Sequence, residues 1–400
     1  MDFTLPAAVE EARHAIRAFV DRRVIPLESD PASFDAHENI RDDVLAPLRA
    51  EARAAGLWAL SMPVERGGRG FGRVGMAACY EEMNRSIFGP AVFNAAAPDD
   101  GNMWVLNAAA TEAQKDRWLQ PIIDGTVRSS IVMTEPAPGA GSDPAGMMKT
   151  TAERRGDRWV VHGRKWFITG AEGACHFILL ARTSTEPRRE LTCFLFHRDQ
   201  PGWRIVRRIP IMGPEEHGGH CELEFDGLEI ADENRFGEVG RGMKIVQTRL
   251  GTARLTHCMR WTGLGRRALE IAGDYIAERA SFGIRLADRE SVQLMLGDAA
   301  MALQIGRLLT MHAAWKLDQG DYAQAEVSTA KVQVADALHR AVDTAIQLCG
   351  ARGYSKDTLL EWMYRYARQA RLVDGASEVH RMLLSRVLTE RGQRHWDWGA

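Results

Sequence analysis

Met133-Thr134-Glu135-Pro136-Ala137-Pro138-Gly139-Ala140-Gly141-Ser142-Asp143 is the stretch on which the fold turns. It closes a β-rich run, Ser129–Thr134, with a hydroxyl, then enters a loop of small residues ending in Ser-Asp. Small residues let backbone N–H groups approach a flat or phosphorylated ligand, and hydroxyls can bond its heteroatoms; the same composition also suits a plain surface loop. Downstream, Trp159–Thr169, His176–Arg182, Leu191–His197, Trp203–Ile211 and Cys221–Ile230 are short runs rich in Val, Ile, Phe, Trp and Thr. Gly156-Asp157, Pro201-Gly202 and Asp226-Gly227 punctuate them, a spacing that predicts an antiparallel barrel or sandwich.

Outward from this block the period changes. Ala12, Ile16, Ala18 and Val20 sit among charges at helical spacing, and Ala91–Leu119 continues the theme, with Thr111 and Gln114 fitting a capping box. Beyond Gly240, Leu264, Ala268, Ile271, Ala272, Tyr275 and Ile276 mark one apolar helix face, and Val334, Leu338, Val342 and Ile346 another. The expectation is an α+β chain: an N-terminal helical domain (1–126), a middle β-domain (127–235) and a C-terminal bundle of the four-helix type (236–400). Helices, then strands, then helices, without βαβ alternation, argue against Rossmann and TIM folds.

The 400 residues are 45% hydrophobic and 26% charged, ordinary for a globular chain of two or three subdomains. A net charge of −2 gives no global electrostatic reason for nucleic acid or an anionic membrane as partner. No secretory signal is visible at the N-terminus, and no apolar stretch approaches the roughly 20 residues that span a bilayer. The six cysteines are scattered and never form C-x-x-C, which fits buried, reduced thiols and a cytoplasmic location. Gly70-Phe71-Gly72-Arg73-Val74-Gly75 matches G-x-G-x-x-G, but Ser61-Met62-Pro63-Val64-Glu65-Arg66 before it is a poor central strand, so it reads as an interhelix loop.

Lys165-Trp166-Phe167-Ile168-Thr169-Gly170 brings aromatic rings and a threonine to the end of a second strand. Together with Thr134–Asp143 it resembles the T-E-P-x-A-G-S-D and W-I-T elements of the acyl-CoA dehydrogenase superfamily. Arg279-Ala280-Ser281-Phe282-Gly283, with Gln293 after it, resembles R-x-x-F-G; Gln347–Tyr354 resembles Q-x-x-G-G-x-G-[FY]; Val373–Arg381 resembles Y-E-G-T-x-E-I-x-R. Ala97–Met103 and Arg249–Arg260 are similar to segments of one branch, acyl-CoA dehydrogenase family members ten and eleven.

The resemblance implies an FAD enzyme of fatty-acid β-oxidation that converts an acyl-CoA thioester to the trans-2-enoyl product and passes electrons to an electron-transfer flavoprotein. It implies that Met133 and Thr134 face the isoalloxazine, that Phe167 packs on it, and that Thr169 lies near its N5 edge. Arg279, Phe282, Gln293, Gln347, Gly350, Ala351, Ala376 and Glu378 would complete cofactor binding, part of it across the interface of a homo-oligomer, a dimer or a dimer of dimers. Ser142, Arg254 and Gly375 would contact substrate. Asp374 aligns with the family's proton-abstracting glutamate; it is about 1.5 Å shorter, and burial is expected to raise its pKa from about 3.9. Asp99, Asp100 and Asn102 either line a polar end of the pocket or cap a helix. Two departures stand out: the Thr134–Asp143 loop is two residues longer than T-E-P-G-A-G-S-D, and Ala253-Arg254 leaves no counterpart of the helix-borne glutamate base of some subfamilies. A nitroalkane-oxidase-like flavoprotein with an aspartate base is the alternative. A DNA-associated alkylation-response flavoprotein is another, although the arginines of Arg352–Arg394 alternate with acids.

Overall fold

The computed structural model describes residues 4–141, 143–186 and 189–396. Four main helices, α1 (Ala7–Phe19), α2 (Asp42–Ala54), α3 (Arg73–Met83) and α4 (Asp99–Ala109), lead the chain. Val9, Ala12 and Ile16 recur every three or four residues and are the buried positions of α1. They pack with Met76, Tyr80 and Met83 of α3 in one hydrophobic core. The expected capping box is present: the Thr111 hydroxyl accepts from the Gln114 N–H at 3.2 Å, and the Gln114 side chain accepts from the Thr111 N–H at 3.3 Å.

The middle region is an eight-stranded sheet: β1 (Arg128–Val132), β2 (Thr151–Arg155), β3 (Arg158–Thr169), β4 (Ala174–Arg182), β5 (Leu191–His197), β6 (Trp203–Arg208), β7 (His220–Ala231) and β8 (Arg235–Phe236). The order is β6-β7-β3-β2-β4-β5-β8, with β1 beside β4. The long ladders are antiparallel as expected, but β1 runs parallel to β4, with Ser130 opposite Phe177. The loop, β2 and β3 intervene between these two strands, which supplies the long crossover a parallel pair needs. The sequence reading missed β2, whose single buried residue, Ala152, among exposed charges gives no alternating pattern. Strands β4 and β5 are apolar on both faces. Phe177, Phe194 and Phe196 face one core, whereas Ile178, Leu180, Cys193 and Leu195 pack with Trp118, Met103, Val246 and Leu250. That second face joins the sheet to both helical regions.

The C-terminal bundle comprises α5 (Gly242–Glu278), α6 (Glu290–Asp318), α7 (Gln324–Cys349), α8 (Leu360–Gln369) and α9 (Ser377–Arg391). Leu264, Ala268, Ala272 and Ile276 of α5 meet Val334, Leu338 and Val342 of α7, the two apolar faces legible in the sequence. One expectation is corrected here: the 29-residue α6 is long and apolar enough to cross a membrane by length and composition. In the sequence Asp298 and Arg307 interrupt its apolar residues, so no unbroken apolar run of that length stands out.

The G-x-G-x-x-G segment is loop only over Gly70–Gly72; Arg73-Val74-Gly75, expected as interhelix loop, form the first turn of α3. Its helix N-terminus is already occupied, because Asp318 of α6 accepts from the N–H groups of Arg73 (2.8 Å) and Val74 (3.0 Å). A carboxylate seated where a phosphate would lie leaves no dinucleotide site.

Candidate active site

The Met133–Asp143 loop is held from inside by a residue given no role in the sequence reading. Glu135 is buried, and its carboxylate accepts from the N–H groups of Ala140 (3.2 Å), Lys149 (2.7 Å) and Thr150 (2.8 Å). Lys165 of β3, fully buried, lies 3.1 Å from Glu135 and donates to the Met133 carbonyl at 2.8 Å. Burial opposes the Glu135 charge, but Lys165 and the backbone donors outweigh it and hold the carboxyl down to about 2. Burial dominates at Lys165, which falls to about 8. A charged residue conspicuously placed within the strand Trp159–Thr169 was the available signal. Ser142 lies outside the described residues.

On β3 the register with β7 shifts between Lys165 and Ile168, so Trp166 and Phe167 bulge from the ladder. Phe167 takes φ +51° and leaves its side chain 43% exposed, with its ring beside Trp166 and His220. The Trp166 N–H donates to the Thr134 carbonyl at 3.0 Å, which brings the two sequence motifs together. Thr169 follows, its hydroxyl 3.1 Å from His220 Nδ1 and its carbonyl accepting from Ser130. An outward aromatic beside strand-end hydroxyls is a platform for a flat ring system.

Asp374 and Gly375 sit on the turn before α9, with φ of +51° and +99°. Two cations clamp their carbonyls: Arg254 Nε donates to Asp374 at 2.8 Å, and the buried Lys331 Nζ donates to Gly375 at 2.8 Å. A Cβ on Gly375 would come within 3.2 Å of His380 Nε2, so glycine suits both the dihedral and the space. The Asp374 N–H donates to no carbonyl among the described residues. Burial pushes the Asp374 carboxyl up, yet His257, Arg249 and Arg254 together outweigh it and set it below the ordinary carboxylate range. This reverses the expected direction. Burial alone predicts a rise, whereas the fold sets His257 and the cations Arg249 and Arg254 of α5 around the anion.

Asp99 and Asn102 prove to be structural ties, whereas Asp100 also accepts from the Gly101 N–H (2.7 Å) in the first turn of α4. Asp99 accepts from the Ser129 N–H (2.6 Å) and from Arg128 (2.8 Å). Asn102 donates to Ser129 Oγ and accepts from the buried Arg249, both at 2.9 Å. Asp100 pairs with the buried Arg260. Through α4, therefore, β1 and the Asp374 turn share one buried polar network. Other expected cofactor residues are not brought to this place within one chain: Arg279, Phe282, Gln293, Gln347, Gly350, Ala351 and Glu378 are exposed on the helical bundle, and Ala376 is half-buried ahead of α9.

A helix–sheet–helix frame with an aromatic platform on the sheet and a carboxylate on a clamped turn of the bundle is that of a flavoprotein dehydrogenase. Family models of the acyl-CoA dehydrogenase N-terminal, middle and C-terminal domains match residues 7–126, 130–228 and 240–389, and the chain belongs to the acyl-CoA dehydrogenase family. It is 35% identical over 94% of its length to acyl-CoA dehydrogenase family member 11 of Gallus gallus, and spans about half (50%) of that relative. It is 32% identical to (R)-benzylsuccinyl-CoA dehydrogenase of Thauera aromatica, covering 99% of this chain and 98% of the relative. The butyryl-CoA dehydrogenase of Megasphaera elsdenii superposes with a TM-score of 0.85 at 26% identity, over 97% of this chain and all (100%) of that one.

Proposed function

We propose that the protein is an FAD-dependent acyl-CoA dehydrogenase in which Asp374 removes the α-proton of the thioester. One observation carries the reading: Asp374 stands on a positive-φ turn whose carbonyls are clamped by Arg254 and Lys331, and its own N–H donates to no carbonyl among the described residues. The carboxylate accepts the proton, and the Asp374 N–H serves the thioester oxygen as enolate charge develops. Bound FAD would supply the acceptor for the β-hydride. Met133, Thr134, Phe167 and Thr169 would hold the ring, and Phe167 offers the open aromatic face this requires. Relatives named for benzylsuccinyl-CoA and butyryl-CoA support a CoA thioester as substrate. An electron-transfer flavoprotein is the proposed acceptor, and the protein is proposed to act in the cytoplasm as a homo-oligomer.

The test is anaerobic flavin bleaching against a panel of acyl-CoA thioesters, paired with Asp374→Asn. The variant should keep its flavin colour and lose both bleaching and α-proton exchange. Undiminished turnover in the variant would sink the assignment. Fast hydrogen peroxide release without an electron-transfer flavoprotein would point to an oxidase instead.

A further inference from the structure

Asp374 Oδ2 is buried and has no hydrogen-bond partner among the described residues, yet an imidazole faces it: His257 Nε2 lies 3.4 Å away. The other ring nitrogen, Nδ1, lies 3.3 Å from Arg260 Nη2. A guanidinium has five donors and no acceptor, and it stays protonated in proteins. Nδ1 must therefore present its lone pair to Arg260, and the tautomer this selects has its proton on Nε2, toward Asp374. Rotating the ring by half a turn would put carbon atoms at both contacts and lose each of them.

Arg260 is itself immobilised. It pairs with Asp100 and donates to the Ala95 carbonyl at 2.8 Å, and both Arg260 and Asp100 are buried. The imidazole is stacked on Trp261, with centroids 4.9 Å apart and planes 21° apart. Its plane and its tautomer are thus set by separate neighbours.

We propose that His257 is the positioning residue of Asp374, locked as the Nε2–H tautomer by Arg260 and Asp100. Resting on the reading of Asp374 as the base, the assignment explains how a shortened carboxylate can be aimed. Nε2–H takes Oδ2, and Oδ1 is left to meet the substrate. The other charged groups around the turn act differently. Arg254 and Lys331 bind backbone carbonyls, Arg249 is engaged by Asn102, and His380 Nδ1 is 3.0 Å from Ser328 Oγ. A contact of 3.4 Å is longer than a formed hydrogen bond; catalytic contacts of this kind commonly shorten only when substrate is bound.

The experiment compares wild type, His257→Phe and His257→Gln as holoenzymes. Phenylalanine keeps the stack on Trp261 and removes both nitrogens. Glutamine offers a carbonyl to Arg260 and an N–H to Asp374. His257→Phe should slow flavin reduction by acyl-CoA about tenfold or more with little change in KM, and His257→Gln should recover most of the rate. Equal rates in wild type and His257→Phe, or equal losses in both variants, overturn the proposal. Independently of turnover, 15N chemical shifts of labelled histidine, assigned by the signal absent from His257→Gln, should report the Nε2–H tautomer; an Nδ1–H tautomer overturns it even if the phenylalanine variant does not fold. Should no acyl-CoA reduce the wild-type flavin, the proposed activity fails while the tautomer still decides this inference.

Discussion

At the scale of single residues, Asp374 was legible as a position but not as a chemical state. The V-D-G-x-x-E-V-H spacing places a carboxylate before a helix, and the structure puts it on a positive-φ turn. Its surroundings come from residues more than one hundred positions earlier, on α5, which no local pattern exposes. The sign of its pKa shift has a consequence for stability. Because the folded protein favours the anion, the contribution is fully present above the ordinary carboxylate value of about 3.9 and is lost as pH falls through the lower folded value. The thermal midpoint of wild type should exceed that of Asp374→Asn by a constant margin above about pH 5 and by a shrinking one below it. Differential scanning fluorimetry of the two proteins at pH 7, 5 and 3.5 measures this; a margin that widens on acidification contradicts it.

At the scale of elements, two contacts explain what periodicity and motif matching could and could not see. The G-x-G-x-x-G match failed as a phosphate site because the donors at the start of α3 belong to Asp318, 245 residues later. The preceding proline already argued against a strand, but the capping carboxylate could not be foreseen. Asp318→Ala should cost about 1 kcal/mol of stability, the worth of a lost N-terminal cap, and leave flavin content unchanged. Equilibrium urea denaturation reads the first and the absorbance ratio of flavin to protein the second. The buried Glu135–Lys165 pair is a harsher case. Lys165→Met strands a carboxylate that still receives three backbone donors, so a loss of about 3 kcal/mol is expected, together with weaker flavin retention as the Met133 carbonyl loses its donor. Near-native denaturation midpoints in that variant would show the three N–H groups to be sufficient.

At the scale of the whole molecule, the helix–sheet–helix order was readable because the apolar period switches twice along the chain. What covers the outside was not. On α6, Leu294, Met301, Ile305, Leu308 and Trp315 are exposed large hydrophobics recurring at heptad-like intervals, and Phe282 just before that helix is 97% exposed. Such a stripe on one face of a long helix is costly to leave in water, and a second copy of the chain would cover it. Arg279 and Phe282, exposed in the segment that leads into α6, are the residues the family resemblance assigns to the flavin of a neighbouring subunit, so assembly and cofactor retention should be linked. Met301→Glu combined with Ile305→Glu puts two like charges into the stripe without touching the cores of either helical domain. Light scattering after gel filtration should then report an oligomer for wild type and a monomer for the variant, with unchanged far-UV circular dichroism and FAD affinity weakened at least about tenfold, as expected if each site takes groups from a second copy. A wild-type monomer that holds FAD fully would refute the linkage. A monomeric variant that still holds FAD fully would assign the cofactor to one chain, leaving Arg279, Phe282 and Gln347 with no part in binding it.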